Sequence, residues 1–320
     1  MKRLIFIKSL LASSLILVAL GRGVAQEVAM KSSRPERQIR LIALAKPFSN
    51  NNWMLSKQRG LTKDYTAQDV LEMIEELKPT CLERFITGFP NQNALVPVRE
   101  GCEPMTVLEF LNKAIEAGGE GCHIVPKLNL QWLADEKSAE YFWEAAEKLY
   151  DLKLVRPIRN INLDVWDVYC KEIAPTPKER ARLFKRLRRI GYEEIGVNMT
   201  GLYRVNDPQI DYADFNINKN GWKVEQSTLD KLKSYPNLNS FYLYIDYPAP
   251  MNAFYTNTPD RQAEIYYENI FPCQKQMGFV FVYPILQDEW DATTVKTSND
   301  GPYRGKTMYE ITKELLDTAQ

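Results

Sequence analysis

Strict alternation between short β-rich runs and longer amphipathic runs is what most narrows the folds open to this chain. The β-rich runs cover residues 39–45, 82–87, 123–128, 160–165, 194–199, 212–217, 241–246 and 279–285. Between them, residues 67–77, 106–117, 139–149, 177–190, 228–233 and 259–277 repeat apolar side chains three and four apart, and 308–316 closes the chain in the same way. Such spacing lets a helix bury one face against a sheet. Thr66, Thr176 and Thr258 precede three of these runs, each with a side-chain oxygen able to accept an orphan amide at a helix start. Strand–helix alternation implies parallel strands joined by crossovers. Eight strands is the number a closed barrel requires, so an α/β fold of the (β/α)8 TIM-barrel kind is expected as a single domain over 39–320, ahead of an open doubly wound sheet. No GxGxxG or GxxxxGKS occurs at the first strand, which removes the usual nucleotide signatures of the open sheets.

The residues ahead of Ile39 have a different character. Met1, Lys2 and Arg3 are followed by an apolar stretch over 10–20 and by Gly23, Val24 and Ala25, the layout of a signal peptide over 1–25 cut after Ala25. That stretch is too short to span a bilayer comfortably. Residues 26–38 are polar without periodicity, which suits a flexible leader. A secreted or periplasmic location is therefore expected.

Charge and cysteine content exclude several functions. Lysine plus arginine equals aspartate plus glutamate, 41 against 41, which argues against general attraction to nucleic acid or anionic membrane. The basic run 178–189 carries Leu183, Phe184 and Leu187 at helical spacing and reads as the solvated side of a helix. Five cysteines without CxxC spacing and a single histidine, His123, make a zinc site improbable, and no metal or cofactor is expected. Should a disulfide form after export, Cys102 with Cys170 or Cys81 with Cys122 are the expected pairs.

In a barrel, alternate strand residues point outward to the helices and inward to the axis, and chemistry sits at the C-terminal strand ends. On the fourth strand Ile161, Leu163 and Val165 take the outward parity, leaving Asn160, Asn162, Asp164 and Trp166 inward. On the seventh, Phe241, Leu243 and Ile245 leave Tyr242, Tyr244 and Asp246 inward; the sixth leaves Asp214 and Asn216. The fifth strand offers Asn198, the third Lys127 and Asn129, and the first Lys46. The second is ambiguous, with Glu83 on one parity and Arg84 on the other. A purely structural barrel core prefers Val, Ile and Leu at such positions, and a buried charge costs several kcal/mol unless it is paired. An Asp164–Lys127 core ion pair is the structural alternative for that residue.

Aromatic residues follow the same strand ends: Trp53, Trp132, Trp166, Tyr169, Tyr203, Trp222, Tyr247, Tyr255 and Trp290. Flat apolar faces beside carboxylates and amides suit pyranose rings. With Asp164 in Asn162-Leu163-Asp164-Val165-Trp166-Asp167 and Asp246 in Tyr244-Ile245-Asp246-Tyr247, the chain resembles the secreted (β/α)8 glycoside hydrolases. In their large retaining group the fourth strand carries the acid/base and the seventh the nucleophile, usually as glutamates. The resemblance implies cleavage of a carbohydrate by two carboxyls, Asp164 and Asp246, with Asp214, Asp288 and Glu289 as substitutes and Trp290 among the binding residues. Two other classes stay open: a non-catalytic carbohydrate-binding or scaffold barrel, and Schiff-base chemistry through Lys127.

Overall fold

The computed structural model describes residues 40–43, 47–49, 52–57, 63–199, 207–216, 226–234, 240–244, 259–264, 268, 272–273, 276, 279–282 and 296–317. All of them lie in the unit Ile39–Gln320. The expected signal peptide and leader therefore fall outside the described residues.

The fold is mixed α/β with a mostly parallel sheet. Its long strands are β1 (Arg40–Ala43), β2 (Cys81–Thr87), β3 (His123–Asn129), β4 (Asn160–Asp164), β5 (Glu194–Met199), β6 (Tyr212–Asn216), β7 (Ser240–Tyr244) and β8 (Phe279–Val282). Along the sheet they run β8-β1-β2-β3-β4-β5-β6-β7, with every neighbouring pair parallel. From β2 to β7 each strand lies beside its predecessor in sequence, and β8 lies beside β1. A two-residue antiparallel ladder, Phe48–Ser49 with Asn52–Trp53, extends the sheet against the C-terminal half of β2. The period of the sequence gives no sign of it, because two residues are too few to show an alternation.

The connecting helices are α1 (Ala67–Leu77), α2 (Val107–Gly118), α3 (Glu136–Tyr150), α4 (Pro177–Ile190), α5 (Gln226–Lys233) and α6 (Pro259–Glu264), with α7 (Met308–Asp317) at the end. The start of α1 is a capping box in which the Thr66 hydroxyl accepts from the Asp69 amide and the Asp69 carboxylate accepts from the Thr66 amide. Thr106 with Glu109 and Thr176 with Glu179 do the same for α2 and α4. Thr106 thus stands outside the helix in which the periodicity places it. Each helix buries its apolar stripe: Val70, Ile74 and Leu77 from α1, Phe110, Leu111, Ala114 and Ile115 from α2, and Leu183, Phe184 and Leu187 from α4. Phe110 stacks on Phe85 of β2 with ring centres 5.7 Å apart. A buried phenylalanine of this kind contributes about 2–3 kcal/mol to stability. Arg156 closes the far end of α2, donating to the carbonyls of Ile115, Gly119 and Cys122.

All five cysteines are described, and no disulfide joins any two of them. Neither expected pair forms: Cys102 is exposed and Cys170 is buried, while Cys81 and Cys122 are both buried as thiols. Burial pushes the Cys122 thiol up to about 11. No described helix is long and apolar enough to cross a membrane.

Candidate active site

The inward parity of β2 to β6 gathers a polar cluster that is closed to solvent. Glu83, Arg84, Asn162 and Asp214 are each at most 2% exposed, and Lys127 and Asn198 are also buried. The side-chain amide of Asn162 on β4 donates 2.6 Å hydrogen bonds to Glu83 Oε1 on β2 and to Asp214 Oδ2 on β6. The Arg84 guanidinium donates to the same Asp214 oxygen at 3.3 Å. Asn198 stands in register with Asp214 on the neighbouring strand. Gly196 on β5 makes room for the Tyr212 ring of β6, which an added Cβ would meet at 2.0 Å.

Two irregularities of the backbone place this cluster. The first is in β2, where the pairing with β3 shifts register between Glu83 and Thr87, and Arg84 takes a φ of 54°. Simple alternation puts Glu83 and Arg84 on opposite faces. The left-handed residue breaks it, and both side chains are buried together at the cost of about 1–2 kcal/mol of backbone strain. The second is at the end of β4, where Val165 has a φ of 56°, a conformation rarely adopted by a β-branched residue. The chain then turns through Trp166–Val168 into a π-helical segment, Tyr169–Ile173. Non-glycine residues in this region persist only where the surroundings hold them, and they concentrate at functional sites.

Asp164, just ahead of Val165, is the more open of the two described carboxylates proposed for catalysis, Asp164 and Asp214. Its side chain is 19% exposed, and Oδ2 lies 2.6 Å from the Lys127 ammonium on β3. The core ion pair anticipated as a structural alternative is therefore present. It leaves one carboxylate at a strand end, held by a cation and still reached by solvent. Asn129, in register with Asp164, spends its side-chain oxygen on the amide of Gln131, capping the 3-10 turn Leu130–Ala134.

The electrostatics of the closed cluster are dominated by Glu83. Burial, followed by the charge and hydrogen bond of Asp214, pushes its carboxyl well above the usual range; Arg84 and Asn162 oppose this without cancelling it. Two buried carboxyls that face each other cannot both ionise cheaply.

Of the residues singled out in the sequence, the structure brings together Arg84, Asn162 and Asp214, and separately Lys127 and Asp164. Trp166 does not join them. It is fully buried, with its ring 5.6 Å from Phe184 of α4 and 5.7 Å from Tyr169. The left-handed Val165 interrupts the alternation before Trp166, so the indole lies in the layer beneath the helices and offers no face to a ligand. Trp53 packs edge-on against Phe48 and Phe110, and Trp132 against Tyr141. The backbones of Asn216 and Tyr244 end β6 and β7. Lys46, Asp246, Asp288, Glu289 and Trp290 lie outside the described residues. Glu83 is the member that alternation leaves undecided, because nothing in the sequence marks Arg84 as left-handed. A cavity of about 450 Å³ on the outer surface of α3, lined by Glu140, Trp143, Glu144 and Arg186, touches none of this cluster. Among the described residues, no group of three or more His, Cys, Asp or Glu is placed to hold a metal ion.

No family model and no curated protein matches the chain. The structural neighbours are glycoside hydrolase-like barrels, at low identity and with no particular family singled out. They include a glucosidase from Croceicoccus marinus, 10% identical over 89% of this chain and 70% of that one, with a TM-score of 0.45. A Thermobaculum terrenum O-GlcNAc hydrolase is 13% identical over 78% of this chain, which spans 55% of the hydrolase, with a TM-score of 0.42. A xylanase and α-amylase inhibitor protein from Scadoxus multiflorus is 11% identical over 76% of this chain and 92% of its own, with a TM-score of 0.40. Superpositions this loose say nothing about chemistry.

Proposed function

We propose that the chain from Ile39 onward is a single closed (β/α)8 barrel, exported behind a signal peptide cut after Ala25, that cleaves glycosidic bonds at the C-terminal ends of its strands. The observation that carries this reading is the position of Asp164: an inward carboxylate at the end of β4, 2.6 Å from Lys127 and partly open to solvent, above an enclosed polar floor. Two-carboxylate hydrolysis needs one ionised group to attack the anomeric carbon or activate water, and one protonated group to assist the leaving oxygen. A neighbouring ammonium favours the ionised form, so Asp164 takes the first role. Asp246, which follows β7 in the sequence, takes the second, with Asp288 and Glu289 as substitutes. Asp214, with no solvent exposure, belongs to the floor and orients rather than reacts. A carboxyl separation of about 5.5 Å between Asp164 and Asp246 implies retention, and roughly 6.5–9.5 Å implies inversion.

A second reading, a barrel that binds carbohydrate without cleaving it, draws on one feature. Both Asp164 and Asp214, the described candidates for catalysis, are engaged by cations of the protein itself. Hydrolysis assays over a panel of glycans, run beside titration calorimetry, separate the two. Turnover of at least one glycan supports the enzyme, and binding without turnover supports the receptor.

A further inference from the structure

The buried cluster of β2, β4 and β6 holds two carboxyls and one cation. Glu83, Arg84 and Asp214 are sealed from solvent to within 2%, and one amide nitrogen, that of Asn162, binds an oxygen of each acid at 2.6 Å. The Lys127 ammonium is engaged 2.6 Å from Asp164. The largest charge effects on Glu83 come from Asp214 and Arg84. With both acids ionised, the cluster would keep a net negative charge in a low-dielectric interior. Asp214 Oδ1, Asn162 Oδ1 and Asn198 Nδ2 are buried with no hydrogen-bond partner among the described residues. A proton on Glu83 removes the surplus charge and supplies a donor.

We propose that Glu83 is a positioning residue: it is held as a neutral carboxylic acid that donates its proton to Asp214, leaving Asp214 as the single anion that faces Arg84 and Asn162. Glu83 then fixes the orientation of the Asp214 carboxylate in the floor of the barrel and carries no charge of its own at neutral pH. The strained Arg84 serves this arrangement, since its left-handed conformation is what lets consecutive residues of one strand supply both the acid and the cation. The inward charged and titratable groups of the surrounding strands are Arg84 on β2, His123 and Lys127 on β3, Asp164 on β4, Glu194 on β5, which accepts from Asn160 of β4, and Asp214 and Tyr212 on β6; β5 also contributes the uncharged Asn198. The side chains of β1 lie outside the described residues.

The sign of the pH dependence follows from linkage. A Glu held protonated in the fold binds more protons than the same Glu in the unfolded chain, whose ordinary value is 4.5. Stability therefore falls as pH rises above that value and stops falling only above the raised folded value. Glu83→Gln keeps the shape and a donor but has no proton to lose. Its melting temperature should approach that of the wild type near pH 4.5, and the gap in favour of the variant should widen steadily toward neutral pH. Infrared difference spectra at neutral pH should show a protonated-carboxyl C=O stretch in the wild type that Glu83→Gln lacks. Asp214→Asn should lose the same band although Glu83 is still present, because Glu83 is then the only acid opposite Arg84 and ionises. A purely structural role for Glu83 predicts no such loss. Absence of the band from the wild type at neutral pH overturns the proposal, as does its persistence in Glu83→Gln, or melting curves of the two proteins that run parallel across the range. Should neither variant fold, the wild-type band decides. None of these measurements depends on carbohydrate cleavage.

Discussion

Arg84 shows most clearly what single residues contribute. Its φ of 54° is unfavourable for an arginine, yet the side chain is 3% exposed and bonded to Asp214. Breaking a buried ion pair by deleting one partner costs about 3–5 kcal/mol, because the remaining charge is stranded. Arg84→Met, which keeps most of the apolar stem, is expected to lower the unfolding free energy by about 3 kcal/mol in urea titrations at neutral pH. A loss below about 1 kcal/mol would mean that Asp214 does not depend on the guanidinium. The residues of this cluster were only partly legible beforehand. Asn162, Lys127, Asp164 and Asp214 follow from alternation along regular strands. Glu83 with Arg84, and Trp166, do not, because a left-handed non-glycine residue at Arg84 or Val165 changes the parity without leaving a compositional trace.

At the scale of elements, the helix starts at Thr66 and Thr176 are legible in the sequence, the periodicity places Thr106 one residue inside its helix, Thr258 lies outside the described residues, and strand ends are less legible. The Thr-x-x-acid pattern recurs as Thr66/Asp69, Thr106/Glu109, Thr176/Glu179 and Thr307/Glu310, and in each the acid accepts from the cap's own amide. At Glu109 and Glu179 the hydrogen bonds from the threonines hold the carboxyl below its ordinary value; at Asp69 burial opposes the shift and the bonds from Thr66 outweigh it. An acid with a lowered folded value stabilises the fold above its unfolded value, and that contribution is lost as pH falls through the folded one. Thr66→Ala is expected to cost about 1 kcal/mol at neutral pH. The cost should shrink below about pH 4, as Asp69 protonates and its bond to the cap weakens; urea titrations at both pH values check this, and a pH-independent cost would contradict it. Strand limits shift by a residue or more because period-two patterning cannot tell the last paired residue from the first of a loop.

For the whole molecule, the strand order β8-β1-β2-β3-β4-β5-β6-β7 leaves β7 and β8 as the two ends of the described path. The proposed closure of the barrel would join them and remove both edges. Hydrogen exchange should then protect the backbone amides of β7 as strongly as those of β3, and fast exchange of alternate β7 amides would mean an open edge. Cleavage at the strand ends is the larger claim, and Asp164 alone is a poor probe of it, since Asp164→Asn leaves a buried ammonium without its carboxylate. The double variant Asp164→Asn with Lys127→Met removes both charges and that penalty together. Its turnover of whichever glycan the wild type cleaves is the measurement to make, with its melting temperature beside it. Melting within a few degrees of the wild type and turnover lower by about two or more orders of magnitude are expected; a double variant as active as the wild type, or a wild type that cleaves no glycan of the panel, would contradict the assignment.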